Sequence, residues 1–312
     1  MPKVSVILVS YDMAREVPRT VRSFLPPYQE GLAPGDVEIL VMENGSPRPV
    51  PAAARGDWPD VVRYVEVPDP KPSPAAALNL GVELARAELV CPVIDGARMA
   101  SPGVLKSGID LCSYAPNAFV ATMGMHLGPK PQQQSVKDGY DQAQEDKLLE
   151  SIKWPGNGYR LFDISALGGS AKGAWFTQLA ETNAPVLSRR LYEELGGYDE
   201  QFDIPGGGLV NLDFMRRALE REDVEYFLLL GEGTFHQFHG GVTTSRAVSE
   251  KEVDGRSTWQ KYNDQYEAIR GKPFAVSNRR PKLYGEMRWP ALKIAMEGVT
   301  NIAANLSSKE KS

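Results

Sequence analysis

Three short apolar runs, each ending abruptly in polar residues, most constrain what this chain can fold into. Val4 to Val9 runs into Ser10-Tyr11-Asp12, Glu38 to Met42 into Glu43-Asn44-Gly45-Ser46, and Leu89 to Ile94 into Asp95-Gly96-Ala97. Between the first two, Ala14 to Leu25 carries Val17, Val21 and Leu25 at helical spacing. A further run, Val61 to Val67, is followed by a turn with prolines at 68, 70, 72 and 74 and then by a helix from about Ala75 to Ala87. Strands and helices alternating at these lengths predict an α/β fold, a mostly parallel sheet with helices on both faces. Its carboxyl edge, where such sheets bind ligands, would gather the three polar strand ends.

Composition narrows the class of function. At 312 residues and 42% hydrophobic content the chain can bury a substantial core, as one large domain or two fused halves. A net charge of -5 gives no basis for broad nucleic-acid binding, so no nucleic-acid partner is expected. Small anionic ligands stay compatible, because backbone amides bind them without net positive charge. Cys91 and Cys112 make neither a metal-binding nor a disulfide framework and read as reduced core residues. With no signal-peptide pattern and no apolar span of about 20 residues, the expectation is a soluble cytoplasmic protein. The tail from Trp289 to Leu306 places Leu292, Ile294, Ala295, Val299, Ile302 and Leu306 on an amphipathic helix. Domain packing, a homodimer contact and peripheral membrane contact are its three readings.

In the second half, Ala118 to Met123 reads as a strand, and Gly128 to Lys172 as a long polar loop of the kind that serves as a lid or binding loop. Regular patterning resumes at Ala184 to Leu195, with a helix from about Leu209 to Glu220 and a last strand, Glu225 to Leu230. That strand leads into a glycine-flanked segment containing Glu232, His236 and His239 and ending in Gly240-Gly241. The expected division is a first half at 1–124, a second half at 125–246, and a helical extension at 247–312.

Four motifs in order carry a resemblance: Asn79-x-Gly81, the Asp95 strand end, Gly196-Gly197-Tyr198-Asp199-Glu200-Gln201-Phe202, and Val210-Asn211-Leu212-Asp213-Phe214 with Arg217 after it. Together they resemble family 2 glycosyltransferases of the GT-A fold, in the nucleotide-diphospho-sugar transferase superfamily, over roughly Val4 to Gly241. The resemblance implies a Rossmann-like sheet with an acceptor-side extension. It also implies transfer of a sugar from a nucleotide-diphosphate sugar, most often a UDP-sugar, to a saccharide, lipid or small-molecule acceptor, with inversion.

By the same resemblance Ser10, Tyr11, Asp12, Glu43, Asn79, Asp95, Gly96 and Arg98 would line the donor site. Tyr11 and Glu43 would face the base, and Asp95 the ribose or a metal. The chain departs from the family pattern at three places. Leu78 stands where an arginine is usual, with Lys71 the nearest replacement. Asp95-Gly96-Ala97 lacks the second carboxylate of Asp-x-Asp, so a divalent metal, Mn2+ or Mg2+, would be held by Asp95 with His236 or His239. Metal-independent transfer, with Arg98 neutralising the leaving group, is the competing reading. Asn211 occupies the position of the usual catalytic carboxylate and accepts no proton at neutral pH.

Asp213 then reads either as the base or as the i, i+4 partner of Arg217, with Glu232 a second candidate base. Trp154, Gly207, Gly208 and Asn211 are the expected acceptor contacts, and Tyr159 and Phe162 join Trp154 as loop aromatics able to stack on a sugar. A catalytically lapsed sugar-nucleotide-binding protein, regulatory or scaffolding, is the alternative. A nucleotidyltransferase would place a glycine-rich basic loop where this chain reads Ser10-Tyr11-Asp12-Met13-Ala14-Arg15.

Overall fold

The apolar runs become strands in a computed structural model that describes residues 1–239 and 256–309. Gly240, Gly241 and the expected boundary at 246/247 lie outside the described residues. The first half comprises β1 (Val4–Ser10), α1 (Val17–Phe24), β2 (Val37–Glu43), a short α2 (Ala52–Arg55), β3 (Val62–Glu66), α3 (Ala75–Leu84), β4 (Leu89–Val93), β5 (Arg98–Ala100) and α4 (Val104–Tyr114). The second half adds β6 (Ala118–Leu127), α5 (Gln132–Ser135), α6 (Gln142–Ser151), β7 (Ser165–Leu167), β8 (Leu187–Ser188), α7 (Arg189–Glu194), α8 (Val210–Glu220) and β9 (Glu225–His236). After the gap come α9 (Thr258–Arg270), β10 (Lys282–Gly285) and α10 (Trp289–Lys309).

The fold is α/β with a mostly parallel central sheet flanked by helices. Strands β3, β2, β1 and β4 are mutually parallel, and β8 closes that sheet antiparallel to β4. A second sheet, ordered β10-β9-β6-β7, has β9 parallel to both β10 and β6, with β5 antiparallel on β9. The two sheets meet where Val120 and Val186 exchange backbone hydrogen bonds of 3.0 and 2.9 Å. Every residue of β1 and β2 is buried, which explains why their runs show no polar alternation.

Two motif glycines fix helix and turn positions. A Cβ on Gly81 would stand 2.4 Å from Ile7 Cγ2, so the glycine lets α3 sit directly on β1. Gly197 adopts a φ of +63°, and a Cβ there would fall 2.5 Å from Asn79 Oδ1. The segment expected as an irregular loop at 128–172 instead holds α5, α6, a 3-10 helix at Gly158–Ile164 and β7. Its apolar residues drive this: Tyr159 and Phe162 are buried, Phe162 against Trp175 and Phe235. Strand β9 also runs six residues beyond its expected end, so His236 lies on a strand.

Cys91 and Cys112 are free and buried, as read from the sequence. In the tail, α10 buries Ala291, Ile294 and Ala295 and passes Gly298 close to Gly173 and Ala174. Its other face exposes Trp289, Met296, Val299 and Leu306. No helix among the described residues is long and apolar enough to cross a membrane.

Candidate metal centre and donor edge

Strand register builds the site. Antiparallel pairing sets Arg98 of β5 opposite His236 of β9, and parallel pairing sets His126 of β6 opposite the same residue. Asp95, two residues past the end of β4, reaches across from the first sheet: its Oδ2 is 2.7 Å from His236 Nε2 and 3.5 Å from His239 Nε2. The two Nε2 atoms are 3.2 Å apart. All three histidines of the chain therefore converge, with the His126 and His236 ring centroids 5.6 Å apart. Asp95 is itself oriented by a turn in which its Oδ1 accepts the Ala97 amide at 2.9 Å.

The tautomer of His236 follows from its neighbour. Gln132 Nε2 donates to the His236 carbonyl at 2.9 Å, which turns the amide so that Oε1 faces His236 Nδ1 at 2.6 Å. An amide oxygen only accepts, so Nδ1 carries a proton and the neutral ring presents the Nε2 lone pair to Asp95 and His239. Burial pushes the His236 pKa down to about 4 against the pull of Asp95, which keeps the ring neutral at physiological pH. His239 is shifted the other way: burial would lower it, and Asp95 beside it raises it. Burial would raise Asp95, but the two imidazoles hold it well below the usual carboxylate range.

Three ligand atoms, Oδ2 and two Nε2, thus lie within 4.8 Å of one another. This donor set fits a divalent cation. Two imidazoles with one carboxylate suit Mn2+ better than Mg2+, which takes oxygen ligands almost exclusively. Beside it sits Arg98, whose pKa burial lowers while Asp95 and Glu181 oppose the shift. From the other side α6 clamps the segment between the two histidines: Phe238 N donates to Glu145 at 2.6 Å, and burial pushes that carboxyl up to about 7.

The remaining strand ends surround this centre. Glu43 is buried and saturated, accepting from Ser10 Oγ at 3.2 Å, Tyr64 OH at 2.9 Å, Ser46 N at 3.1 Å and Ser46 Oγ. It therefore ties β1, β2 and β3 together at their carboxyl ends. Asp12, at a φ of +56°, forms a two-point pair with Arg48 at 2.8 and 2.7 Å. Tyr11 is 55% exposed at the same edge. Gly96 donates to the Val9 carbonyl, and a Cβ there would stand 2.6 Å from that oxygen, so only glycine lets the Asp95 turn lie against β1.

Other residues expected in the site are engaged elsewhere. Asn79 is a packing joint: it accepts from Tyr192 OH at 2.7 Å and Tyr198 N at 3.0 Å and donates to the Tyr198 carbonyl at 2.9 Å. Asp213 is fully buried, with Oδ2 held by Arg217 Nε at 2.7 Å and Oδ1 by Arg270 Nε at 2.6 Å, which leaves no lone pair facing a substrate. Glu232 is equally enclosed, accepting from Tyr159 OH at 2.7 Å, Gly103 N at 3.1 Å and Ser101 Oγ, and its pKa is raised by burial. Both carboxylates are thus taken up by donors of the protein itself, and the i, i+4 pairing of Asp213 with Arg217 is one of the two readings its spacing allowed. Trp154 packs edge-on to Tyr28, 6.0 Å between centroids, rather than standing clear to stack on a sugar. Gly207 lies against Pro74, and Gly208 against Tyr262 and Gln265 of α9.

Asn211, in the first turn of α8, donates to Glu181 Oε2 at 3.1 Å and Asn183 Oδ1 at 3.3 Å, and accepts from Tyr198 OH at 3.4 Å. Sequence reasoning missed His126, Gln132 and Glu181. His126 closes an apolar strand and is one of only three histidines, a signal that was readable; Gln132 and Glu181 sit in irregular sequence with no periodicity to mark them. A cavity of about 260 Å3 near α10, lined by Lys172, Gln178, Asn301 and Asn305 among others, has no carboxylate or imidazole and is separate from this centre.

No family model matches the sequence, and no curated protein does. Among solved structures, S. aureus TarS is similar at 10% identity and a TM-score of 0.45, over 76% of this chain and 35% of that one. Its 1–349 fragment in complex with UDP gives 11% and 0.47, and the 1–349 fragment in a second structure 11% and 0.42. Each alignment covers 76% of this chain, and 60% and 58% of those chains respectively. The chain thus spans less than two thirds of the length of each.

Proposed function

We propose that the protein is a glycosyltransferase of GT-A architecture that moves a sugar from a nucleotide-diphosphate sugar, a UDP-sugar foremost, to a hydroxyl acceptor with inversion. The observation that carries this reading is the Asp95, His236 and His239 cluster at the carboxyl edge of a parallel sheet, with Arg98 in the same mouth. A divalent cation held there supplies positive charge to a diphosphate leaving group. Arg98 adds a second positive charge, placed by β5 and poorly solvated, where it acts on a developing anion more strongly than it would in water. Tyr11, exposed at the end of β1, offers a stacking face for the base, and the Glu43 network keeps the β1 and β2 ends rigid beneath it. Inversion, a single displacement at the anomeric carbon, follows the family resemblance.

The experiment is calorimetric titration with UDP, GDP and dTDP, with and without Mn2+. Metal-dependent UDP binding that disappears in Asp95→Ala, with the fold retained, is the expected result. Absence of binding to every nucleotide would remove the donor-site reading. The lapsed-protein alternative draws on the saturated carboxylates of Asp213 and Glu232, and metal-dependent nucleotide binding without sugar release would support it.

A further inference from the structure

We propose that Glu181 is the general base that takes the acceptor proton, an assignment that rests on the glycosyl-transfer reading above. The acidic side chains first expected in that role are occupied: Asp213 by two guanidinium groups and Glu232 by a tyrosine, a serine and a backbone amide. Glu43 and Asp12, at the donor edge, are bonded through both oxygens. Glu181 differs from all four. It is partly exposed, its Oε2 accepts one bond from Asn211 Nδ2 at 3.1 Å, and its Oε1 takes none from the described residues. One oxygen is fixed and the other is left for a substrate hydroxyl.

Two observations put this carboxylate in the same mouth as the metal-binding cluster. Asn183, two residues on, shares the Asn211 amide with Glu181, and its Nδ2 would lie 3.0 Å from a Cβ on Gly124. Arg98 Nη1 would lie 3.3 Å from that same Cβ. Asn183 and Arg98 therefore flank one bare stretch of β6, Glu181 joins Asn183 on the Asn211 amide, and the Arg98 charge interacts with both Asp95 and Glu181. This arrangement also accounts for the amide at 211. A carboxylate there would repel Glu181 at 3 Å, whereas Asn211 donates to it and is itself anchored by Tyr198 OH.

In the transfer step the acceptor oxygen bonds to the anomeric carbon as its proton passes to Glu181. The bond from that carbon to the diphosphate oxygen breaks, and its electron pair leaves on the nucleoside diphosphate. Glu181 then releases the proton to solvent. Water serves as acceptor when no sugar hydroxyl is present, so donor hydrolysis reports the same step.

The test measures nucleoside diphosphate release from a panel of UDP- and GDP-sugars with Mn2+, together with UDP affinity and thermal midpoint, for wild type, Glu181→Gln and Glu181→Asp. Expected for Glu181→Gln is a kcat lowered on the order of 10²- to 10⁴-fold with KM and UDP affinity unchanged, partly recovered in Glu181→Asp. A Glu181→Gln enzyme within threefold of wild-type kcat overturns the assignment. So does a parallel loss of UDP affinity, which would mark a structural role. Failure of the glycosyl-transfer reading shows separately, as wild-type protein that neither binds a nucleoside diphosphate nor releases one, and the base assignment falls with it.

Discussion

Gln132 grips His236 at two points, its Oε1 2.6 Å from the ring Nδ1 and its Nε2 donating to the backbone carbonyl at 2.9 Å. Because the glutamine comes from α5 and the histidine from β9, a segment distant in sequence sets the imidazole tautomer. Outer partners of this kind typically contribute 10- to 100-fold in metal affinity. Gln132→Leu is therefore expected to weaken Mn2+ binding by about 10-fold or more at an unchanged fold, read by calorimetry. Equal affinity in the variant would show that the tautomer is set by other contacts.

Asp213 is the clearest case of a residue whose type suggested chemistry and whose surroundings assign it to packing. It is fully buried between Arg217 and Arg270, and Arg270 reaches on to Asp199 at 2.7 Å, so one carboxylate joins α8, α9 and the Gly196–Phe202 turn. Removing one partner of a buried pair leaves the other charges uncompensated, at a cost of about 3 kcal/mol or more. Asp213→Ala should lower the unfolding free energy by roughly that amount in a urea titration and leave UDP affinity per folded molecule unchanged. A rate defect with full stability would restore Asp213 to the catalytic role.

What the sequence disclosed and what it hid divide along physical lines. Strands β1, β2 and β4 and helix α3 were legible because burial on both faces writes a continuous apolar run, and because the Gly81 and Gly96 contacts tolerate no other residue. The convergence of Asp95, His236 and His239 was foreshadowed by His-x-x-His near a strand end. Strand β5, three residues long, and the antiparallel β8, two residues long, leave no periodic trace, yet β5 is what delivers Arg98 to His236. The 128–172 segment looked irregular because its helices are short and polar outside, and only tertiary contacts such as Tyr159 with Glu232 reveal that its aromatics are core. A motif marks position, while the contacts made at Asn79 and Asp213 depend on which guanidinium or amide arrives from elsewhere in the chain.

Acid sensitivity should reside in His126. Burial, with the neighbouring Arg98 charge, pushes its pKa down to about 3, and its Nδ1 is enclosed without a partner. The unfolded chain, with an ordinary value near 6.5, binds this proton more readily than the folded one. Its contribution is therefore fully present above about pH 6.5 and is lost as pH falls toward the folded value. Between pH 7.5 and pH 5 the loss is about 2 kcal/mol. His236 acts in the same direction and His239 in the opposite one. In metal-free buffer, His126→Leu should shrink the stability difference between those two pH values by about 2 kcal/mol. An unchanged difference would place the acid limb on other groups.

Asn211→Asp separates a decayed catalytic position from a purposeful amide. If the site had simply lost its base, restoring a carboxylate would raise turnover. The geometry demands the opposite. The Nδ2 donor to Glu181 at 3.1 Å and to Asn183 at 3.3 Å would be replaced by an acceptor, and two carboxylates about 3 Å apart do not both ionise at neutral pH. Either Glu181 or the new aspartate takes up a proton, and the free oxygen of Glu181 loses its fixed orientation. Nucleoside diphosphate release should then fall about 10-fold or more at pH 7, recovering in part at higher pH as the shared proton is lost. A rate above that of the wild type would show that residue 211, and not Glu181, is where the acceptor proton goes.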